Sequence, residues 1–257
     1  MSDFDRNVAA RRGTFGAERA VAIDAGLRAY MIRVYNYMAA GVALTGIVAW
    51  LTYQAAGGDA ISISGGVIRG LTPFGQAVFQ GPLMWVLVLA PLGLVFFLSF
   101  AVQRLQAGTA LALFLLYAGL LGLSLASIFL AFTGASITRV FFISAASFGA
   151  LSLYGYTTQR DLSGFGSFLI MGLVGLILAS LVSLFWPNGM LQFLISVIGV
   201  FIFAGLTAYD TQRIKEMYDS MDDGTIVGRK AVMGALSLYL DFINLFLMLL
   251  RLVGDRR

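Results

Sequence analysis

The sequence predicts an all-α integral membrane protein built as a bundle of seven transmembrane helices. Three observations predict it. Of the 257 residues, 59% are hydrophobic and only 12% are charged, against about 25% charged in a soluble domain. Such a chain cannot cover a water-facing surface. Seven apolar runs each reach the ~20 helical residues that cross a bilayer. The basic residues also gather on alternate connecting segments, which is the mark of a fixed membrane orientation.

The elements follow in chain order. Residues 1–26 form a polar, Arg-rich tail without an apolar h-region or a small-residue cleavage site. No cleaved signal peptide is expected, and the first span directs insertion. Residues 27–257 form the seven-span membrane domain, with spans expected at 30–53, 82–103, 109–132, 137–157, 163–186, 190–210 and 231–253. Very short turns separate spans three to five, which predicts antiparallel neighbours. Asp161 is placed to cap the fifth helix. The stretch Trp186-Pro187-Asn188-Gly189 breaks the chain between spans five and six. The longest connection, 54–81, is rich in Gly and Ser, and Ile61-Ser62-Ile63-Ser64 alternates like a short strand.

With the N-terminus cytoplasmic, 12 of the 17 bases lie on the inner segments and 5 on the outer ones. The positive-inside rule therefore sets the N-terminus inside. Seven crossings then put the C-terminus outside, where Arg251, Arg256 and Arg257 disagree with the rule. Either the tail is a tolerated exception, or the last helix is not a simple crossing.

Cysteine and histidine are both absent, which excludes disulfides, thiol nucleophiles, histidine-ligated metals and serine–histidine catalysis. No cofactor and no nucleic-acid partner are expected; the net charge of +4 belongs to membrane orientation. Any response to pH near neutrality must come from carboxylates in unusual surroundings.

The stretch GALSLY occurs twice, at 149–154 and 234–239. Identity stops at both ends, and the copies run through the membrane in opposite directions, so the repeat reads as helix packing by small residues. Ala118/Gly122, Ala145/Gly149 and Gly175/Ala179 share that spacing.

Packing does not explain Asp241, seven residues after the second glycine. Of the 13 acids, only Asp210 and Asp241 lie in or against apolar helix. A single aspartate at the centre of a span costs ~3 kcal/mol on insertion scales. It usually faces the bundle interior and has a partner, so Asp241 reads as functional rather than as a structural carboxylate. Asp210 alone reads equally well as an interfacial residue, three positions before Arg213. The expected limits leave Asp241 deeper than Asp210 by ~9–15 Å. The two meet only if the sixth helix continues inward or the seventh starts late, near Gly234.

If they meet, two like charges in a poor solvent cannot both stay ionised, and the pair would share one proton. A cation able to replace that proton would compete for the site. Calcium takes six to eight oxygens, so two carboxylates with carbonyls and water make a weak calcium site, suited to passage. Arg104, ending the second span on the same side, is a candidate third element, or simply a positive-inside anchor.

The segments AYDTQRIK (208–215) and LSLYLDFINLF (236–246), with LSLYGYTT (151–158) and DLS (161–163), resemble the Bax inhibitor-1 family. The resemblance runs through all seven spans, roughly 30–253. It implies a seven-helix bundle with the last helix central, and a pH-sensitive calcium leak across a membrane. Asp210 and Asp241 match its pH-sensing aspartate pair. Arg104 is the nearest match to an arginine that latches to the aspartate of span six in some members. An acidic residue that some bacterial members carry on the second span is absent; the position falls around Pro91.

Calcium or protons are thus the implied permeant ions, lipid the surroundings, and a bacterial inner membrane the location, with the N-terminus cytoplasmic. Some bacterial relatives instead bind and modulate a membrane-bound AAA protease, and eukaryotic members are linked to suppression of cell death. The alternative function is therefore a non-conducting membrane scaffold acting on such a protease or another membrane partner. An intramembrane aspartyl protease also uses two aspartates on consecutive helices. However, Leu238-Tyr239-Leu240 stands where flexible glycines are needed before Asp241, so no enzyme is expected and no catalytic residue is assigned.

Overall fold

The computed structural model describes residues 3–64 and 67–257, with side chains for 25–62, 68–102 and 104–257. The chain runs through α1 (Asp3–Ala55), a 3-10 turn at Gly58–Ala60, the hairpin β1 (Ser62–Ser64) and β2 (Val67–Arg69), α2 (Pro73–Phe79), α3 (Leu83–Ala101) and a 3-10 turn at Val102–Arg104. It continues through α4 (Ala107–Leu125), α5 (Ile128–Ala131), α6 (Gly134–Thr157), α7 (Ser163–Phe185), α8 (Gly189–Glu216) and α9 (Gly224–Val253). Among the described residues, seven segments are long and apolar enough to cross a membrane: Ala25–Ala55 of α1, α3, α4 with α5, α6, α7, α8 and α9. The chain is an all-α membrane bundle.

The alternating Ile61–Ser64 stretch does form a strand. Ser62 pairs with Arg69 and Ile63 with Ile68, antiparallel. The breaker at Trp186–Gly189 ends α7 at Phe185 and starts α8 at Gly189, where Asn188 Oδ1 accepts the Met190 N–H. Asp161 accepts the Ser163 N–H at 2.8 Å, at the head of α7. The Ser163 hydroxyl, and then its backbone N–H, hold the exposed Asp161 carboxyl below the usual carboxylate range.

Helix limits differ from the apolar limits at α8 and α9. Both extend about two turns into polar sequence, to Glu216 and back to Gly224. Apolarity records the thickness of the membrane, whereas a helix ends where its backbone groups find other partners. Asp223 supplies such an end by accepting the N–H groups of Thr225 and Ile226, both at 2.8 Å.

α9 packs against α1, α4, α6 and α8, whereas α3 packs chiefly on α4 and α7 on α8. The apolar window of α9 is accordingly 67% buried, and that of α7 only 11%. Where α1, α4 and α9 meet, Thr45 Oγ1 donates to the Ala118 carbonyl at 2.9 Å. Its single proton is thereby used, so the buried Tyr239 OH donates to Thr45, at 2.6 Å. The Tyr239 ring stands edge-on to Phe114 and Tyr117, with centroids 5.5 and 5.8 Å away. The polar handle is satisfied while the ring fills the core, as a phenol buried in lipid-facing protein requires.

The small-residue pairs divide. Ala118 and Gly122 are buried, and a Cβ on Gly122 would meet the Thr45 carbonyl oxygen at 2.7 Å. Gly234, from the second GALSLY, lies against Ile214 of α8, where a Cβ would come within 2.9 Å of Cγ2. Gly149 and Gly175 face open space, so the glycine serves close packing in one copy of the repeat and not in the other.

The tail settles the question raised by its arginines. Past α9 it turns back onto the α5–α6 junction: the Thr133 N–H donates to the Asp255 carbonyl, and the Arg257 N–H to the Ala131 carbonyl, both at 3.1 Å. Arg139 pairs with Asp255 at 2.9 Å, and Arg257 Nη1 donates to Tyr53 OH at 2.9 Å. Tyr53 closes α1, so the tail and the end of α1 share one end of the bundle, and α9 runs its full length.

Candidate functional site

The site lies where α8 and α9 pass each other beside α6 and α7. Its local shape begins with threonines. Thr207 and Thr211 are buried and turn their hydroxyls back onto α8, donating to the carbonyls of Phe203 and Thr207 at 2.8 and 2.7 Å. With the Thr211 proton committed, Ser152 of α6 donates to Thr211 at 3.0 Å, and Tyr35 of α1 to Ser152 at 2.6 Å. The result is a directed chain of hydroxyls joining three helices, with each hydroxyl in the chain satisfied. Gly155 lets α6 approach closely enough that a Cβ there would strike the carbonyl oxygen of Ala208.

The polar end of α8 is held as firmly. Gln212 bridges to the α6–α7 turn, its Oε1 accepting the Leu162 N–H and its Nε2 donating to the Arg160 carbonyl, both at 2.8 Å. Lys215 Nζ donates to the Tyr156 carbonyl at 2.9 Å and lies over the Tyr156 ring. These bonds tie residues 211–216 to the end of α6 and the α6–α7 turn, and the approach of Gly234 to Ile214 sets the register of α9 against this part of α8.

Asp210 is half-buried and Asp241 only 5% exposed. Both line one cavity of about 1320 Å³, together with Arg213, Ser237 and Asn244. Asp210 lies close enough to act on Asp241 through its charge, and Arg213 acts on Asp210 in the same way. Oδ2 of Asp241 has no hydrogen-bond partner. A buried carboxylate oxygen without a partner is costly; it is the feature of this site that packing alone does not account for.

Both carboxylates singled out in the sequence therefore reach one place, through the continuation of α8 rather than a late start of α9. Arg104 does not join them. It is exposed at the end of its 3-10 turn, outside the lining of their cavity, and makes no ion pair with either among the described residues. The cation beside the pair is Arg213, whose spacing from Asp210 marks it only as a surface partner. The sequence by itself does not single out Ser237 or Asn244. Their offsets of four and three residues from Asp241 place them on its helix face, a signal present in the sequence but not specific without a known cavity.

Among the described residues no three acidic side chains gather at one point. A divalent cation here would find the two carboxylates, the Ser237 hydroxyl and the amide oxygen of Asn244, whose Nδ2 is committed to the Leu240 carbonyl. That set is short of the six to eight oxygens calcium takes. Water would have to complete the shell, which fits a weak and exchanging cation better than a resident one.

Comparison with known proteins adds the family. The sequence model described as inhibitor of apoptosis-promoting Bax1 matches residues 27–257. The chain is 46% identical to the inner membrane protein YbhL of Escherichia coli K12, over 91% of this chain and 94% of that protein. It is 46% identical to the Rickettsia prowazekii protein RP147, over 91% and 92% of the two chains. It is also 44% identical to a protein of Caulobacter vibrioides over the whole of both. With its seven apolar helices, this chain is an integral membrane protein belonging to the Bax1-I family.

Proposed function

We propose that the chain is a pH-responsive passage for calcium across a bacterial inner membrane, with Asp210 and Asp241 as both proton sensor and transient cation site. The observation that carries this reading is the unpartnered Oδ2 of the buried Asp241, in a cavity shared with Asp210. A proton or a cation is what such an oxygen lacks, and the two compete for it. The groups facing the pair are Arg213 of α8 and the polar side chains of Ser237 and Asn244 on α9; α7 brings no charge to the cavity. The base count orients the N-terminus to the cytoplasm, where α1 begins and the α8–α9 loop lies. No catalytic step is assigned to the pair, and the chain is read as a non-enzyme without a resident cofactor.

Purified protein in vesicles tests this. Calcium flux should change between pH ~6 and ~8, the interval a shared proton can occupy, and Asp210→Asn and Asp241→Asn should each flatten the profile. If both variants keep the parent's profile, the sensor reading fails. If the wild-type chain passes no calcium at any pH while still holding a membrane protease partner, the scaffold reading takes its place.

A further inference from the structure

The cavity that holds the two carboxylates continues well beyond them. It runs between α7, α8 and α9 to the end of the bundle where the tail lies, and Arg251, Arg256 and Arg257 line that end. From Gly189 to Asp210 its α8 wall rises ~32 Å, the thickness of a bilayer's hydrocarbon core. Its floor is buried apolar surface, with Ile195, Phe203 and Leu206 from α8 and Met248 from α9. At ~30 Å³ per molecule, water would need on the order of 40 molecules to fill such a volume. An apolar floor offers most of them no hydrogen-bond partner on the protein.

The arginine end has the opposite character. Arg257 is held by Tyr53 OH, with Asp59 Oδ1 at 4.0 Å. Arg251 and Arg256 are exposed and make no ion pair among the described residues. Two unmatched guanidiniums thus stand at the membrane-surface end of an apolar trough.

We infer that this trough binds one anionic phospholipid, its phosphate on Arg251 and Arg256 and an acyl chain laid along the α8–α9 floor toward Asp241. Charge selects the head, since guanidinium is the side chain best shaped for phosphate. Length selects the tail. From Arg251 to Asp241 α9 rises ~15 Å, half the hydrocarbon core, which is the reach of a chain from one leaflet. The chain end would lie beside the carboxylates, so the lipid would control how open their cavity is from the arginine side. The binding site stands on its own geometry, whether or not ions pass.

The test is native mass spectrometry of the full-length chain in detergent, titrated with phosphatidylglycerol or phosphatidylcholine. We expect a one-to-one phosphatidylglycerol adduct at least about tenfold tighter than any phosphatidylcholine adduct, since each basic contact to an anionic head contributes a factor of about five. Arg251→Gln with Arg256→Gln should weaken it about tenfold or more. Gln192→Trp, at an exposed position lining the trough, should weaken both lipids by filling it. Arg69→Gln, at the same end but outside the trough, should change nothing and shows that net charge alone is not being read. Glycerol phosphate, a head without chains, should not displace the lipid at equal concentration. Equal retention of the two lipids, full affinity in the double arginine variant, or displacement by glycerol phosphate would each overturn the inference.

Discussion

Asp241 of α9 and Asp210 of α8 open onto one cavity from unequal positions, the first sealed into the bundle with a bare Oδ2, the second half-buried beside Arg213. The asymmetry separates their roles. Asp210 has a cation to meet its charge, and Asp241 has none.

A carboxylate kept for structure would destabilise the bundle when lost, whereas an unsatisfied one costs stability while it is present. Asp241→Leu should therefore leave thermal stability unchanged or raise it by ~1–3 kcal/mol, while removing pH-dependent flux. A thermal melt in detergent decides, and a large drop would mark Asp241 as structural.

Calcium binding should follow the proton with a definite sign. Calcium and a proton compete for the same oxygens, so affinity falls as pH falls, by up to about tenfold per unit where one proton is displaced per ion. Calorimetry at pH 6, 7 and 8 measures it. Asp210→Asn should lower affinity and remove most of the slope.

Tyr239→Phe separates the scaffold from the site. The change leaves Thr45 bonded to Ala118 but deletes one buried hydroxyl contact, which should cost ~1 kcal/mol. The pH profile of calcium binding should not move, because Tyr239 lies in the α1–α4–α9 core and does not line the cavity.

The repeated GALSLY gives a paired test. Gly234→Ala drives a Cβ against Ile214 of α8 and should destabilise by ~1–3 kcal/mol. Gly149→Ala enters open space and should be neutral, or stabilising by up to ~1 kcal/mol, through helix propensity. Identical six-residue words thus predict different outcomes, which two melting curves can check.

Much of this protein was settled by its sequence alone. The number of spans and the breaker at Trp186–Gly189 were legible, because lipid imposes a length and an apolarity that any single segment must meet by itself. The candidate aspartates were legible for the same reason, a carboxylate in an apolar run being conspicuous without neighbours. What only the tertiary structure decided depends on contacts between distant segments. Whether Asp210 and Asp241 meet turned on how α9 lies along α8, a register that the approach of Gly234 to Ile214 shows. That Arg213, not Arg104, stands beside them turned on the same register. The direction in which Gly149 and Gly234 face, and the return of the tail to Tyr53, were equally out of reach, since local composition carries no information about which helix lies opposite.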